Sequence, residues 1–183
     1  MAERTSVVLE EMVRFGAALP LERLDELCEA IGAAERVFLH GVGRSGLVLR
    51  LLAVRLTHLS LRCHVVGEAT TPAIGPRDLL IAASGSGTTP GVVAIAERAR
   101  AAGAAVVALT AHGEAALARD AAPVIVLPGT AKTDHPAAVG SRQPPGSLFE
   151  QMLMLFLEEL TLRLVAIRRL SYDAMARRHA NLE

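Results

Sequence analysis

Hydroxyl side chains and glycines are interleaved in one short segment, Ser84-Gly85-Ser86-Gly87-Thr88-Thr89, which we term the hydroxyl segment. It follows a predicted strand and precedes a predicted helix. Glycines let backbone N–H groups converge on a ligand, the helix N-terminus adds partial positive charge, and hydroxyls donate further hydrogen bonds. A helix cap alone would need one Ser or Thr and would leave the other hydroxyls unexplained. The segment therefore predicts a binding site for a phosphate monoester.

A second glycine-rich turn, Gly41-Val42-Gly43-Arg44-Ser45-Gly46, also lies between a predicted strand and a predicted helix. The pattern GxGxxG occurs in dinucleotide-binding proteins, which further need an acidic residue about 20 positions on, at the end of the next strand. Glu68 lies later than that and follows a glycine, so NAD is disfavoured. The other interpretation is that the glycines serve only a tight turn with close helix packing. Arg44, between the glycines of the turn, either binds phosphate or stabilises developing negative charge, or is a surface arginine that does neither.

Glu150 lies near the start of a long apolar helix that the sequence predicts from Ser147. A carboxylate beside a bound substrate can remove a proton from carbon and return it, which is general acid–base catalysis. The alternative is an ordinary acidic residue of the first helical turn, where the helix dipole favours a negative charge. The sequence leaves both interpretations open.

Histidine is the usual proton carrier near neutral pH, and the sequence contains six histidines. His58 lies on the predicted helix after the first glycine turn, and His179 lies in the C-terminal tail. A lone histidine on a helix is more often simply packed against its neighbours, so this alternative stays open for both. The sequence contains no HxH or HExxH spacing and no paired cysteines, so no metal site is expected.

Strands and helices alternate between residues 36 and 127. The predicted strands are 36–40, 63–66, 78–84, 104–110 and 123–127, and the predicted helices among them are 47–59, 91–102 and a short one at 114–120. The alternation predicts a single α/β domain with three layers, α/β/α, around a five-stranded, mainly parallel sheet. Both glycine turns then follow the carboxyl ends of strands, where such sheets bind ligands.

Further segments flank this core. One or two helices are predicted at about residues 2–31, with a break or kink at Pro20. Residues 128–146 are rich in Pro, Gly, Ser and Thr, and a loop of that length is usually functional or disordered. A helix at about 147–170 and a short tail follow. The apolar surplus of the first helix and of residues 148–167 predicts burial between subunits.

Composition narrows the classes of function. The 183 residues carry 19 basic and 19 acidic side chains, and zero net charge gives no global field to hold a nucleic acid. Lys132 is the sole lysine, so Schiff-base and P-loop chemistry are excluded at all other positions. Charges interrupt the most apolar stretch, which argues against a membrane span. Cys28 and Cys63 match neither a zinc site nor a disulfide scaffold, and the expected compartment is the cytoplasm.

Five motifs occur in the order GVGRSG, VGEATTP, SGSGTTP, QPPGSLFEQ and RRHANLE. Together they closely resemble the 6-phospho-3-hexuloisomerases, members of the sugar-isomerase (SIS) domain superfamily. The resemblance runs from about residue 5 to the end of the chain. SGSGTT alone would indicate only the superfamily, whereas the last two motifs single out this family.

The resemblance implies a cofactor-free homotetramer that interconverts D-arabino-3-hexulose 6-phosphate and fructose 6-phosphate in the ribulose monophosphate pathway, with 3-hexulose-6-phosphate synthase as functional partner. Glu150 matches the family's proposed catalytic glutamate, and His58 and His179 match positions that the family shares. A tail carrying His179 would cross to a neighbouring subunit and complete its site. The residues expected to bind the substrate and its phosphate are Gly43, Arg44, Ser45, Ser84, Gly85, Ser86, Gly87, Thr88 and Thr89.

Two alternative functions stay open. One is a different SIS isomerase, for example one acting on arabinose 5-phosphate or sedoheptulose 7-phosphate. The other is a non-catalytic phosphosugar sensor that controls a partner, although such sensors normally carry a second domain, for which the sequence leaves no residues. The presence of Glu150 favours an enzyme.

Overall fold

Five parallel strands form one sheet in the computed structural model, which describes residues 6–182. The sheet order is β2-β1-β3-β4-β5. The strands are β1 (Arg36–Gly41), β2 (Cys63–Val65), β3 (Asp78–Ala83), β4 (Ala105–Thr110) and β5 (Val124–Val126). Each predicted strand is confirmed to within one residue at either end, and the sheet is wholly rather than mainly parallel.

Six α-helices surround the sheet. They are α1 (Val7–Gly16), α2 (Leu24–Ala33), α3 (Gly43–His58), α4 (Pro90–Ala101), α5 (Ser147–Arg168) and α6 (Tyr172–Ala176). The helical region near the N-terminus divides at Pro20, as predicted, and the predicted positions 2–5 lie outside the described residues. No helix within residues 6–182 is both long enough and apolar enough to cross a membrane.

The core has two halves, one on each face of the sheet. On one face, α2, α3 and α5 pack side chains such as Leu27, Leu52 and Phe156 against the sheet. On the other face, α4 packs Val92 and Ala96 against the sheet. All six residues of β3 are buried, because both of its faces are covered, as is usual for the centre of a parallel sheet. The predicted three-layer α/β/α fold is therefore confirmed.

Three local predictions need correction. The helix predicted at 114–120 is only a 3-10 turn, Ala116–Ala118, since so short a helix is unstable alone and the chain must turn tightly towards β5. α3 begins inside the first glycine turn, four residues before the predicted start. The tail contains α6, whose first turn is capped by the Ser171 side chain.

A buried carboxylate, Asp78, joins the amino ends of β1 and β3. Arg36 Nε donates to Oδ1 at 2.9 Å and Arg36 Nη2 to Oδ2 at 2.7 Å, while Gly75 N donates to Oδ2 at 2.7 Å. The hydrogen bonds from Arg36 hold the pKa of the Asp78 carboxyl below its ordinary value, although burial acts in the opposite direction.

We expect Asp78→Asn to lower the free energy of unfolding by about 2 kcal/mol at pH 7, because the charged hydrogen bonds to Arg36 are lost. The pKa of Asp78 is lower in the folded state than in the unfolded state. Its ionised carboxylate therefore contributes fully to the free energy of unfolding above the unfolded pKa of about 4, and this contribution disappears as the pH falls through the folded-state pKa. Urea unfolding of the wild type and of Asp78→Asn between pH 7 and pH 2 measures the difference in their free energies of unfolding. A difference between the two proteins that stays constant over that range would contradict the prediction.

Candidate active site

A pocket of about 380 Å³ opens at the carboxyl ends of β1 and β3. β1 continues through α3 to β2 on one side, and β3 continues through α4 to β4 on the other. Open parallel sheets bind ligands at such a point, where the strand order reverses. The lining comes from residues 42–45, from 83–86 with Thr89, from 130–132, and from the segment 145–150.

The first glycine turn brings α3 into direct contact with β1. A Cβ atom on Gly46 would lie 2.4 Å from the carbonyl oxygen of Gly41, so only glycine allows this approach. Gly43 has a φ of +59°, and a Cβ atom there would meet no atom within 4 Å. Arg44 and Ser45 line the pocket. The outer glycines of the turn therefore pack the helix against the strand, and the centre of the turn faces the cavity.

Hydrogen bonds organise the hydroxyl segment. Ser84 Oγ lies 2.8 Å from Thr89 Oγ1 and 3.4 Å from Ser86 Oγ. Ser86 Oγ accepts a hydrogen bond from Thr88 N at 3.2 Å. Each hydroxyl has one donor and two acceptor positions, so these contacts orient the group and leave it able to bind a ligand.

Three helices begin at the pocket without a side-chain cap. α3 starts after Val42, α4 after Thr89 and α5 after Gly146, and in none of them does the residue before the helix cap the first turn with its side chain. Of the helices that begin elsewhere, α1 and α6 are capped by Ser6 and Ser171, whereas α2 likewise has no side-chain cap. The positive ends of three helix dipoles therefore meet at one cavity, which favours a bound anion.

Glu150 places a carboxylate in this pocket from the first turn of α5. Arg44 Nε donates a hydrogen bond to Glu150 Oε2. The Glu150 side chain is 16% exposed, whereas that of Arg44 is 67% exposed. The arginine thus lies on the solvent side of the pair and orients the carboxylate at the edge of the cavity.

The predicted loop at 128–146, which we term the pocket wall, is tied to the sheet by Asp134. Its Oδ2 accepts a hydrogen bond from Ala131 N at 2.8 Å and lies 2.9 Å from His112 Nε2, just beyond β4. The Ala131 N–H holds the pKa of Asp134 below its ordinary value and His112 adds to this, although burial opposes both. Thr130 and Lys132 are thereby held at the cavity.

Eight of the predicted site residues come together in the lining: Gly43, Arg44, Ser45, Ser84, Gly85, Ser86, Thr89 and Glu150. Two residues of the hydroxyl segment lie outside the lining: Gly87, which is buried and has a φ of +62°, and Thr88, which is exposed. The lining also contains Thr130, Lys132 and Phe149, which sequence reasoning missed. The sequence offered a reason to consider Lys132, because it is the only lysine of the chain and lies in a loop expected to be functional.

His58 and His179 lie together, far from the pocket of their own chain. Their ring centroids are 4.0 Å apart, and Arg178 Nη1 donates to the His58 carbonyl oxygen at 3.1 Å. Gly43 and His58 are the two ends of α3, about 22 Å apart along the helix axis. Burial lowers the pKa of His58, and the charges of His179 and Arg55 lower it further. Because the tail folds back onto α3 of its own chain, catalysis by these histidines would require the pocket of another subunit.

The ionisable groups that line the pocket are few. Arg44 and Lys132 are its cations and Glu150 is its carboxylate, beside the hydroxyls of two loops. Within residues 6–182, no three His, Cys, Asp or Glu side chains are grouped so as to hold a metal ion. This donor set suits a small, hydroxylated anion.

Comparison with known proteins shows the family of the chain. The SIS domain family model matches residues 31–155. A 3-hexulose-6-phosphate isomerase of Mycobacterium gastri is 45% identical over 178 residues, which cover 97% of this chain and 89% of the relative. One of Bacillus subtilis (strain 168) is 36% identical over 181 residues, which cover 99% and 98%.

A solved structure from Methanococcus jannaschii, for which a molecular function of 3-hexulose-6-phosphate isomerase was inferred, is also similar. It matches this chain with a TM-score of 0.76 and 30% identity, over 88% of this chain and 86% of its own. The resemblance found in the motifs is thereby confirmed. The chain belongs to the SIS domain family and, within it, to the group of 3-hexulose-6-phosphate isomerases.

Proposed function

We propose that the protein interconverts D-arabino-3-hexulose 6-phosphate and D-fructose 6-phosphate as a step of the ribulose monophosphate pathway. The observation that carries the proposal is the position of Glu150, whose carboxylate lines the same pocket as the hydroxyl segment. Relatives that are 45% and 36% identical over nearly the whole chain carry the name of this isomerase, which supports this substrate over other phosphosugars.

The phosphate group is expected at the hydroxyl segment. Ser84, Ser86 and Thr89 present hydroxyl groups there, and the positive end of α4 follows directly. Because the formal net charge of the protein is zero, local donors rather than a global field must hold the anion. The sugar carbons then extend towards Glu150 on the other side of the pocket.

Glu150 is assigned the transfer of the carbon-bound proton. Moving the carbonyl from C3 to C2 removes the C2 proton, forms an enediol across C2 and C3, and returns a proton to C3, while a second proton moves from O2 to O3. One carboxylate can serve both carbons because they are adjacent. Arg44 orients that carboxylate and contributes positive charge for the enediolate.

The substrate reaches this pocket as an open chain. A five-membered ring closing onto the C3 carbonyl would need O6, and O6 carries the phosphate. A dedicated ring-opening acid is therefore dispensable in the direction that produces fructose 6-phosphate. The lining accordingly needs only one proton-transfer group for carbon, and Glu150 is the carboxylate present there.

The transfer between O2 and O3 is assigned to His58 or His179 of a neighbouring subunit, in a homotetramer in which each chain acts as a single SIS domain. Leu47, Leu51 and Val54 form an exposed apolar stripe along α3 that leads towards His58, which supports contact with another chain. Light scattering at micromolar concentration is expected to give the mass of a tetramer. A monomer would contradict this assignment.

Lys132 is expected to contribute charge to phosphosugar binding, because Arg44, the other cation of the lining, is already paired with Glu150. Replacing Lys132 by Met should raise the KM for 3-hexulose 6-phosphate about 10-fold and change kcat little. Lys132→Arg keeps the charge and should stay within about 3-fold of the wild-type KM. Initial rates of the wild type and the two variants give the three KM values. A wild-type KM for the Met variant would exclude a contribution of Lys132 to phosphosugar binding.

The proposed activity is tested by mixing purified protein with 3-hexulose 6-phosphate in EDTA and following fructose 6-phosphate. The functional partner, 3-hexulose-6-phosphate synthase, can supply the substrate in a coupled assay. Turnover of arabinose 5-phosphate or sedoheptulose 7-phosphate in its place would assign the chain to a different SIS isomerase. Binding without turnover of any of them would indicate a sensor.

A further inference from the structure

Glu11 of α1 is a buried carboxylate that the proposed mechanism does not use. The residue is 2% exposed and accepts hydrogen bonds from Ser141 Oγ at 2.7 Å, Arg142 N at 2.7 Å and Gln143 Nε2 at 3.0 Å. Burial raises the pKa of Glu11, but these hydrogen bonds outweigh burial and hold it below its ordinary value. A charge buried in this way has a substantial desolvation cost, so its partners indicate its role.

All three donors belong to the last part of the pocket wall. Residues 141–143 are separated only by Pro144 from Pro145 and Gly146, which line the pocket, and Gly146 is the residue from which α5 begins. Arg14 of α1 adds a fourth contact, donating from Nη2 to the Gly140 carbonyl oxygen at 2.6 Å. α1 therefore holds the pocket wall through residues 140–143, none of which lines the cavity.

Gln143 extends the contact to α5. Its Nε2 donates to Gln151 Oε1 at 3.1 Å, and Gln151 Nε2 donates back to Gln143 Oε1 at 2.7 Å. Gln151 directly follows Glu150 in the chain. The glutamines at the two ends of the QPPGSLFEQ motif thus pair with each other, and Glu11 completes a chain of three side chains from α1 to the helix that carries Glu150.

The charge of Glu11 determines the direction of these hydrogen bonds. A carboxylate only accepts, whereas an amide has a donating and an accepting end. Facing Glu11, Gln143 must present its NH2 group, and its carbonyl oxygen is then left to accept from Gln151. An amide at position 11 would instead direct an NH2 group at the Arg142 N–H or at the Gln143 NH2. Turning Gln143 round to relieve this would break its pair with Gln151 unless the Gln151 amide, on α5, turned round as well.

We infer that Glu11 is a positioning residue of the isomerase, holding the end of the pocket wall and the first turn of α5 so that Glu150 meets the substrate carbons. The inference rests on the proposed function, since it concerns the geometry of the same pocket. A reacting group that is misplaced by about 1 Å can cost 100-fold in rate. A carboxylate that merely stabilised the fold would leave kcat unchanged once the protein had folded.

The variant Glu11→Gln, which removes the charge and keeps the shape, is expected to lower kcat for 3-hexulose 6-phosphate 10- to 100-fold, about what such a displacement costs. KM should change less, because the hydroxyl segment is not part of the network. Glu10→Gln is the matched control. Glu10 is the neighbouring residue, and its exposed carboxylate pairs with Arg142 at the surface at 2.6 Å, so its removal should leave kcat and KM as in the wild type.

Gln151→Ala tests the other end of the network and does not touch Glu11. It should lower kcat by a similar factor, and the double variant Glu11→Gln with Gln151→Ala should lose little more than either alone, because the two act through one chain of hydrogen bonds. Circular dichroism and thermal unfolding establish which variants are folded. If Glu11→Gln does not fold, the kcat of Gln151→Ala decides whether the inference on the network holds.

Wild-type kcat in a folded Glu11→Gln or Gln151→Ala protein overturns the inference, even where the melting temperature has fallen. In that case turnover by the wild type leaves the proposed function intact. Absence of turnover by the wild-type protein overturns both together. The two failures are therefore distinguishable in one set of assays.

Discussion

Replacing Glu150 by Gln is expected to lower kcat about 1,000-fold, within the range of 100- to 10,000-fold for loss of a general acid–base group. The amide keeps the size of the side chain and can still contact Arg44, but it cannot take a proton from C2. KM should stay within a few-fold of the wild type, because the hydroxyl segment and Lys132 are unchanged. Steady-state rates of fructose 6-phosphate formation measure both quantities.

Glu158→Gln is the matched control for this experiment. Glu158 lies on the same helix, its side chain is 47% exposed, and it makes only a surface contact with Arg55 at 3.6 Å. Its replacement should leave kcat unchanged. Undiminished turnover by Glu150→Gln would show that another group moves the carbon-bound proton, and the assignment of Glu150 would be wrong.

The second large effect is expected at Gly46, whose replacement by Ala should lower the free energy of unfolding by about 3 kcal/mol. A Cβ atom there would lie 2.4 Å from the Gly41 carbonyl oxygen, and this obstacle is backbone and cannot rotate away. α3 must then move away from β1, and it takes Arg44 and Ser45 out of the pocket. We therefore expect kcat/KM to fall at least about 100-fold as well.

Gly32→Ala separates this effect from the general consequence of adding a methyl group. A Cβ atom on Gly32, in the last turn of α2, would meet no atom within 4 Å. The change should raise the free energy of unfolding by about 0.5–1 kcal/mol and leave kcat/KM unchanged. Urea unfolding and initial rates compare the two variants. A Gly46→Ala protein with the wild-type urea midpoint would show that the close approach of α3 to β1 does not require glycine at position 46.

The sheet and half of the pocket are predictable from the sequence because their signals are local. After Asp78, β3 is an uninterrupted apolar run that ends at the hydroxyl segment, and β1 ends in the same way at the first glycine turn. In a parallel sheet, two such ends on adjacent strands must lie at the same edge. Strand patterns alone therefore place residues 42–46 and residues 84–89 at the same edge of the sheet, whereas the adjacency of β1 and β3 is known only from the structure.

The rest of the site depends on contacts between segments that are distant in sequence. Arg44 and Glu150 are 106 positions apart, and Glu11 and Ser141 are 130 apart, and no local pattern pairs them. For the histidines too, the sequence predicts the local element but not the distance from the pocket. His58 is correctly placed on α3 by periodicity, but only the length of that helix shows that it lies about 22 Å from the pocket.

Proton transfer to carbon within this pocket is tested most directly in D2O. The wild-type protein is incubated with 3-hexulose 6-phosphate well beyond equilibrium, and the label in fructose 6-phosphate is read by NMR. If Glu150 takes the C2 proton and returns one to C3, many turnovers must exchange that proton with solvent, and deuterium is expected at C3 of fructose 6-phosphate. Fructose 6-phosphate that forms and stays unlabelled at C3, or that does not form at all, would contradict the proposed enediol reaction.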